Sequence, residues 1–267
     1  MSGLLLRLAG VWQAWGQHAA FPHHRDTALH PTRSGLIGLI TAAQGRTRDN
    51  ALTPYEQLPG RPSHHDLTFT VRVDNPGTPH EDYHTVGGGH PPDKRLYLAN
   101  GSKRTAQAAT LVSRRHYLAG AVFTVAVTGP DPLIDDIADA LDNPAHAPFL
   151  GRRACIPDEP LVLGPPLPDP ITELLTRAPV SWPTPPTGPT APVILWSETP
   201  PTDHPHTSPD NELAAEPTDW RTEHRTYLAR PLWRTTEHLP AHLYAGKRPI
   251  DTLTAYLHKD PAWPPTP

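Results

Sequence analysis

The segment Leu67-Thr68-Phe69-Thr70-Val71-Arg72-Val73-Asp74 alternates strictly between apolar and polar residues. Side chains along a strand point to opposite faces in turn, so Leu67, Phe69, Val71 and Val73 face in while Thr68, Thr70, Arg72 and Asp74 face out. A sheet with one apolar face needs a cover. The segment Pro31–Arg46 supplies one: it reads as a single helix with a hydroxyl cap at Thr32 or Ser34 and a stop at Gly45. Leu36, Ile37, Ile40 and Ala43 recur at helical spacing and suit one face of a sheet. Gly35, Gly38 and Ala42 leave room for close approach, at some cost in helix propensity. Arg33 and Ser34 stand at the positive end of the helix dipole, where an anion can bind.

Other segments complete an order. Leu4-Leu5-Leu6-Arg7-Leu8-Ala9, bounded by Gly10, suits a buried central strand. Tyr117 to Val127 reads as a strand with Phe123, Val125 and Val127 on one face. Asp131 is placed to cap a second helix, with Pro132 in its first turn and a buried stripe of Leu133, Ile134, Ile137, Ala138 and Leu141. Leu161-Val162-Leu163-Gly164 is the candidate fourth strand. The order β-α-β-β-α-β is the split ferredoxin-like pattern, also used by RNA-recognition (RRM-like) domains, so the expected class is α+β. The core spans residues 1–165. Between Pro76 and Arg115 it is interrupted by a long excursion holding an Asn100-Gly101 pair, which favours a tight hairpin turn.

Composition narrows the function. A single cysteine, Cys155, excludes a disulfide framework and a cysteine-rich zinc site, and fits a reducing cytosol, hence a cytoplasmic protein. Met1 to Gly10 lacks the basic start of a signal peptide, and no uncharged apolar run is long enough to span a bilayer. Net charge is −4, yet it is unevenly spread. Residues 1–128 carry 13 Lys and Arg against 8 Asp and Glu, whereas residues 129–267 carry 10 against 19. A basic front half suits a chain that holds a polyanion on one side.

Two local motifs carry less than they promise. The His23-His24 pair points apart in any regular structure and lacks a nearby acidic or cysteine partner, so it reads as a solvated loop and not as a metal site. Gly87-Gly88-Gly89 lacks the lysine and hydroxyl of a P-loop, and no cofactor is implied. One or both of Trp12 and Trp15 should pack under the sheet edge. The remaining region, 166–267, is rich in Pro and Thr, with an apolar island at Val193–Trp196. It is expected to be partly extended or disordered, with a flexible part near His204–Pro209, a small β element around Arg225–Arg234 and a disordered tail after Pro261.

The residues resemble a known family. Leu4–Gly10 with Gln13 and Trp15-Gly16, and Pro31–Leu39, carry the resemblance at the front of the chain. Val71–Gly77, Asp82–Val86, Arg115–Leu118 and Pro148–Arg153 continue it in order and spacing. Together they are similar to the CRISPR-associated CasD subunits of type I-E Cascade, within the RAMP superfamily, over about the first 165 residues. The resemblance implies an RRM-like core with a projecting thumb at about 76–115. It implies binding of the 5′ handle of the CRISPR RNA, contacts with a neighbouring backbone subunit and the large subunit, and no catalysis of its own. Nothing residue-level carries over to the Pro/Thr-rich region.

On that reading the RNA-binding candidates are Arg33, Ser34, Gly35, His84, Lys103, Arg104, Arg114, Arg115, Tyr117, Arg152 and Arg153, because cations hold phosphates and single-stranded handles splay their bases. The aromatic motif of ordinary RNA-recognition sheets is missing from Leu67–Asp74, which directs binding to loops and thumb. One alternative is a metal-independent endoribonuclease that uses His116 with Arg115. Tyr117 would lie on the other side of the strand from His116, and no lysine neighbours them. Another is a scaffold without RNA contact.

Overall fold

The computed structural model describes residues 2–16, 23–98, 100–201, 209, 213–221 and 226–259. β1 (Ser2–Ala9) forms where the opening apolar run predicts it, with Leu4, Leu5, Leu6 and Leu8 fully buried. Two short strands follow, β2 (Trp12–Gln13) and β3 (His24–Arg25). α1 (Arg33–Ala43) takes Thr32 as its cap: the Thr32 hydroxyl accepts from the Gly35 amide at 3.3 Å. Gly45 stops it at φ +69°, a left-handed conformation open to a residue without Cβ. β4 (Thr68–Asn75) is the alternating strand, shifted by one residue.

β5 (Thr78–Val86) and β6 (Leu111–Ala119) pair antiparallel along their full lengths, forming an arm whose other edge carries β2 and β3. The stretch that reads from sequence as one strand, Tyr117–Val127, divides at Gly120. Its first part belongs to the arm, and the rest enters the central sheet as β7 (Val122–Gly129). α2 (Asp131–Asp142) buries Leu133, Ile134, Ile137 and Leu141 as expected. Asp131 is its first helical residue, and the cap position falls to Pro130, which has no side-chain acceptor. Then come α3 (Pro170–Thr176), β8 (Thr190–Ser197), β9 (Leu213–Asp219), β10 (Thr226–Pro231), β11 (Trp233–Pro240) and α4 (Pro249–Leu257).

The central sheet is antiparallel, in the order β1-β7-β4-β8-β11. The predicted fourth strand runs along the free edge of β1. The Leu163 amide donates to Leu5 at 2.8 Å, and Gly3 and Leu167 exchange bonds of 2.8 and 2.7 Å. It forms isolated bridges and no continuous ladder, because Pro165, Pro166 and Pro168 have no N–H to donate. With this edge included, the first four core strands stand in the ferredoxin-like arrangement. The fold is α+β, and β8 and β11 extend its sheet at the far side. β9 and β10 form a separate two-stranded hairpin.

α1 and α2 pack on one sheet face over Leu4, Leu6, Phe69, Phe123 and Val125. The other face is not open, which corrects the expectation that Arg72 and Asp74 point to solvent: they are 0 % and 1 % exposed. The stretch expected to be loop-like supplies the cover, with Leu174, Ala178, Val180, Leu195, Leu243 and Tyr256 packed against Leu5 and Ala126. Each large apolar side chain buried this way contributes about 1.5–3 kcal/mol. The charges under the cover form a closed network. Asp74 accepts from Arg7 at 2.5 Å, from Arg72 at 2.6 and 3.1 Å, and from the Thr124 hydroxyl at 2.8 Å. Arg72 also donates to the Ala178 and Pro179 carbonyls at 3.1 and 2.7 Å, and Arg7 to Glu159 and Ser181 at 2.8 and 2.6 Å. RNA-recognition sheets bind on this face; here a protein layer fills it. Of the regions expected to be flexible or disordered, 202–208 and the tail from 260 on lie outside the described residues. No helix among the described residues is long and apolar enough to cross a membrane.

Candidate nucleic-acid interface

The arm has two faces, and its register sorts the predicted residues between them. On β6, Ser113, Arg115 and Tyr117 share a face with His84, Asp82 and His80 of β5. Arg114 and His116 lie on the opposite face, beside Tyr83 and Glu81. Arg114 donates to Glu81 at 2.8 Å and His116 stands 3.5 Å from it, so this face is partly neutralised. His116 and Tyr117 are therefore separated by the strand, as the sequence anticipates.

The Tyr117 face is built as a ladder of flat groups. Trp12 lies 5.0 Å from Tyr117 and 5.6 Å from exposed His80, and the Arg152 guanidinium sits 4.7 Å over the Tyr117 ring. Arg152 is fixed by the carbonyls of His116, Arg25 and Asp26 at 3.0–3.2 Å. β3 pairs parallel with β6 and sets exposed Arg25 beside Arg115 and exposed His24 beside Arg114. The sequence alone does not single out Arg25 or lift His24 out of a loop, because a two-residue strand pairing with a partner 90 residues away leaves no periodic signal. Trp15 is fully buried and Trp12 is 36 % exposed, so only one of the two packs under the sheet. Arg153 is exposed on the turn after Arg152. At the arm's tip, Lys103 lies 5.4 Å from the Tyr97 ring and donates to the Asp93 carbonyl, and Arg104 donates to the Ala108 carbonyl at 3.3 Å.

Arg33, an RNA-binding candidate from sequence, is turned into the protein and away from the surface. It is 2 % exposed and bridges Glu198 and Glu216, each at 2.7 Å, while donating to the Leu67 carbonyl at 2.9 Å. Arg230 and His65 join Glu216 at 2.8 Å each, so the β9–β10 hairpin is clasped onto the start of α1. Burial pushes the Glu198 carboxyl up to about 7 against the pull of Arg33 and Arg230. Burial alone would also raise Glu216, but the His65 bond and the Arg33 charge hold it below the usual range.

Ser34 and Gly35 open instead onto a cleft of about 420 Å³ above α1. The helix gives it a floor of small residues, and Trp220 and Tyr227 of the clasped hairpin line it with Phe149 and His146. Arg46 and Arg48 also line it, and among the described residues no acidic one does. Behind Arg46, whose guanidinium lies 4.0 Å over the Tyr55 ring, His64 is fully buried. Its Nε2 lies 3.1 Å from the Tyr55 hydroxyl and 2.9 Å from Gln44 Oε1. Burial and the Arg46 charge drive His64 down to about 3, and burial raises Tyr55 to about 12. The unfolded chain takes up a proton at His64 below pH 6.5 while the folded chain does not, so stability is lost as pH falls from 6.5 toward 3. Denaturant melts at a series of pH values should show the gap between wild type and His64→Gln closing by about 1.4 kcal/mol per pH unit in that window. A constant gap would refute it.

Among the described residues, no group of three or more His, Cys, Asp or Glu side chains is placed to hold a metal ion. The family model that matches, over residues 3–226, is described as CRISPR-associated protein (Cas_Cas5). The chain belongs to this Cas5 family. Among curated relatives, it is 37 % identical over 174 residues to the CRISPR system Cascade subunit CasD of Escherichia coli (strain K12), covering 61 % of this chain and 70 % of that protein. A chain of a solved CRISPR RNA-guided surveillance complex superposes with a TM-score of 0.80 at 40 % identity, over 96 % of this chain and 99 % of the other. A structure titled crystal structure of Cas protein matches at a TM-score of 0.54 and 26 % identity, over 91 % and 97 % of the two chains. Membership accords with the α+β core.

Proposed function

We propose that this Cas5-family chain is the non-catalytic RNA-binding subunit of a type I-E Cascade complex, holding the 5′ handle of the CRISPR RNA. It contacts the neighbouring backbone subunit and the large subunit in doing so. The observation that carries the reading is the pairing of β3 with β6, which sets Arg25 beside Arg115 on the face where Arg152 lies on Tyr117. Cations there hold phosphates, and exposed His80 with Trp12 accepts unstacked bases, while Tyr117, an RNA-contact candidate from sequence, is 4 % exposed and backs them from beneath. The tip cations Lys103 and Arg104 extend the track along the arm. With the sheet face filled by protein, the arm and the loops near α1 are what remain for RNA. Such a division suits guided recognition, where base pairing reads the target and protein holds the guide.

The test is RNA affinity against salt for the purified chain, using the 5′ segment of its cognate CRISPR RNA. Combined Glu substitution of Arg25, Lys103, Arg104 and Arg115 should reduce the slope of log K against log salt by up to about 3. The same protein should leave cognate repeat RNA intact in EDTA. Unchanged affinity in the variant would move the RNA off the arm, no binding by the wild type would favour a scaffold without RNA contact, and a cut at one position would favour an endoribonuclease.

A further inference from the structure

The cleft above α1 has a chemistry the arm does not share. Gly38 and Ala42 keep part of its floor low, and at Gly35 an added Cβ would come within 2.9 Å of Trp15. The Trp220 indole lies against that floor: a Cβ added to Gly38 would meet only Trp220 Cη2, at 3.9 Å. Tyr227 stands on the same hairpin, and that hairpin is pinned through Glu216 to Arg33 and His65. Aromatic groups are thus held in place before any ligand arrives, which reduces the ordering cost of binding. Arg46 and Arg48 line the cleft, and among the described residues no carboxylate does. A flat ring joined to an anion is the ligand such a lining fits: π-faces for the ring, cations for the anion, nothing to repel it.

We propose that the cleft receives one unstacked base of the bound RNA against Trp220, with the adjoining phosphate beside Arg46 and Arg48. This rests on the reading that the chain binds RNA. It adds a second, base-holding site beyond the backbone track of the arm, and the Phe149–Arg152 turn links the two. Phe149 and Gly151 line the cleft, while Arg152 lies on Tyr117.

The experiment measures affinity of the full chain for the single-stranded 5′ segment of its cognate CRISPR RNA and for a set of the same RNA, each made abasic at one position. Trp220→Ala should weaken binding of the intact RNA about tenfold or more. That loss should vanish against the one RNA lacking the base that enters the cleft. Gly38→Leu, whose side chain would take the space over the floor and push the Trp220 indole away, should give the same position-specific signature if Trp220→Ala folds poorly. Losses equal for every RNA, or no loss in either variant, would overturn the base site while leaving the arm's role standing. So would variants that bind all RNAs normally but fail to assemble with other subunits, since the cleft would then be a protein dock. If the wild type binds none of these RNAs, the underlying function fails first.

Discussion

Asp74→Ala should cost about 3–5 kcal/mol, enough to unfold a domain of ordinary stability. Asp74 is 1 % exposed and carries the only carboxylate between Arg7 and Arg72, both fully buried. Removing it leaves Arg72 with only carbonyl and hydroxyl acceptors, and Arg7 facing it with Glu159 as its remaining carboxylate partner. The expected readout is a drop in denaturation midpoint with little change in slope. Asp74→Asn should recover part of the loss, because the amide oxygen still accepts while the charge does not. Replacing Arg7, Arg72 and Asp74 together by apolar residues of similar volume should be far milder than Asp74→Ala alone, since buried ion clusters often do no better than hydrophobic packing. A mild single variant and a severe triple would invert this account.

That network lies beyond what local sequence patterns reveal. The alternation from Leu67 to Asp74 identifies a strand and names its apolar face correctly, because period two is a local signal. It cannot say what covers the second face. Arg72 and Asp74 look like solvent-facing residues until the carbonyls around 174–179 close over them, and that cover comes from a segment whose prolines suggest loop. The same long range hid Arg33. A cation at a helix start reads as an anion site, whereas its carboxylate partners Glu198 and Glu216 lie 165 and 183 residues away. The helix, its Thr32 cap, the Gly45 stop and the β-α-β-β-α-β order were legible because each rests on residues within a turn or two of one another. The cleft was half legible. Ser34, Gly35 and Gly38 were visible in the helix pattern, but Trp220 and Tyr227 reach it only through a hairpin clasped by those distant carboxylates.

Gly151→Ala should destabilise by about 2–4 kcal/mol, combining a left-handed backbone penalty with forced overpacking. Gly151 holds φ +88°, and an added Cβ would lie 1.7 Å from the Ala14 carbonyl oxygen. Backbone sits there, not the flexible end of a side chain, so the turn must move. The displaced contacts are specific: the Ala14 amide donates to Leu150 at 3.1 Å, and the Leu150 amide to Cys155 at 2.7 Å. Gly164→Ala separates the two causes. Gly164 is at φ +92°, and a methyl group added there would meet nothing within 4 Å, so it should show the backbone penalty alone, about 1–2 kcal/mol. The two variants should also part in RNA affinity. Gly164 lines neither the cleft nor the arm, whereas Gly151 lines the cleft and precedes Arg152, whose guanidinium bonds to His116, Arg25 and Asp26 depend on the turn. Measured under conditions where both fold, Gly151→Ala should weaken RNA binding and Gly164→Ala should not. Equal affinities would mean that the turn supports the fold without positioning the RNA.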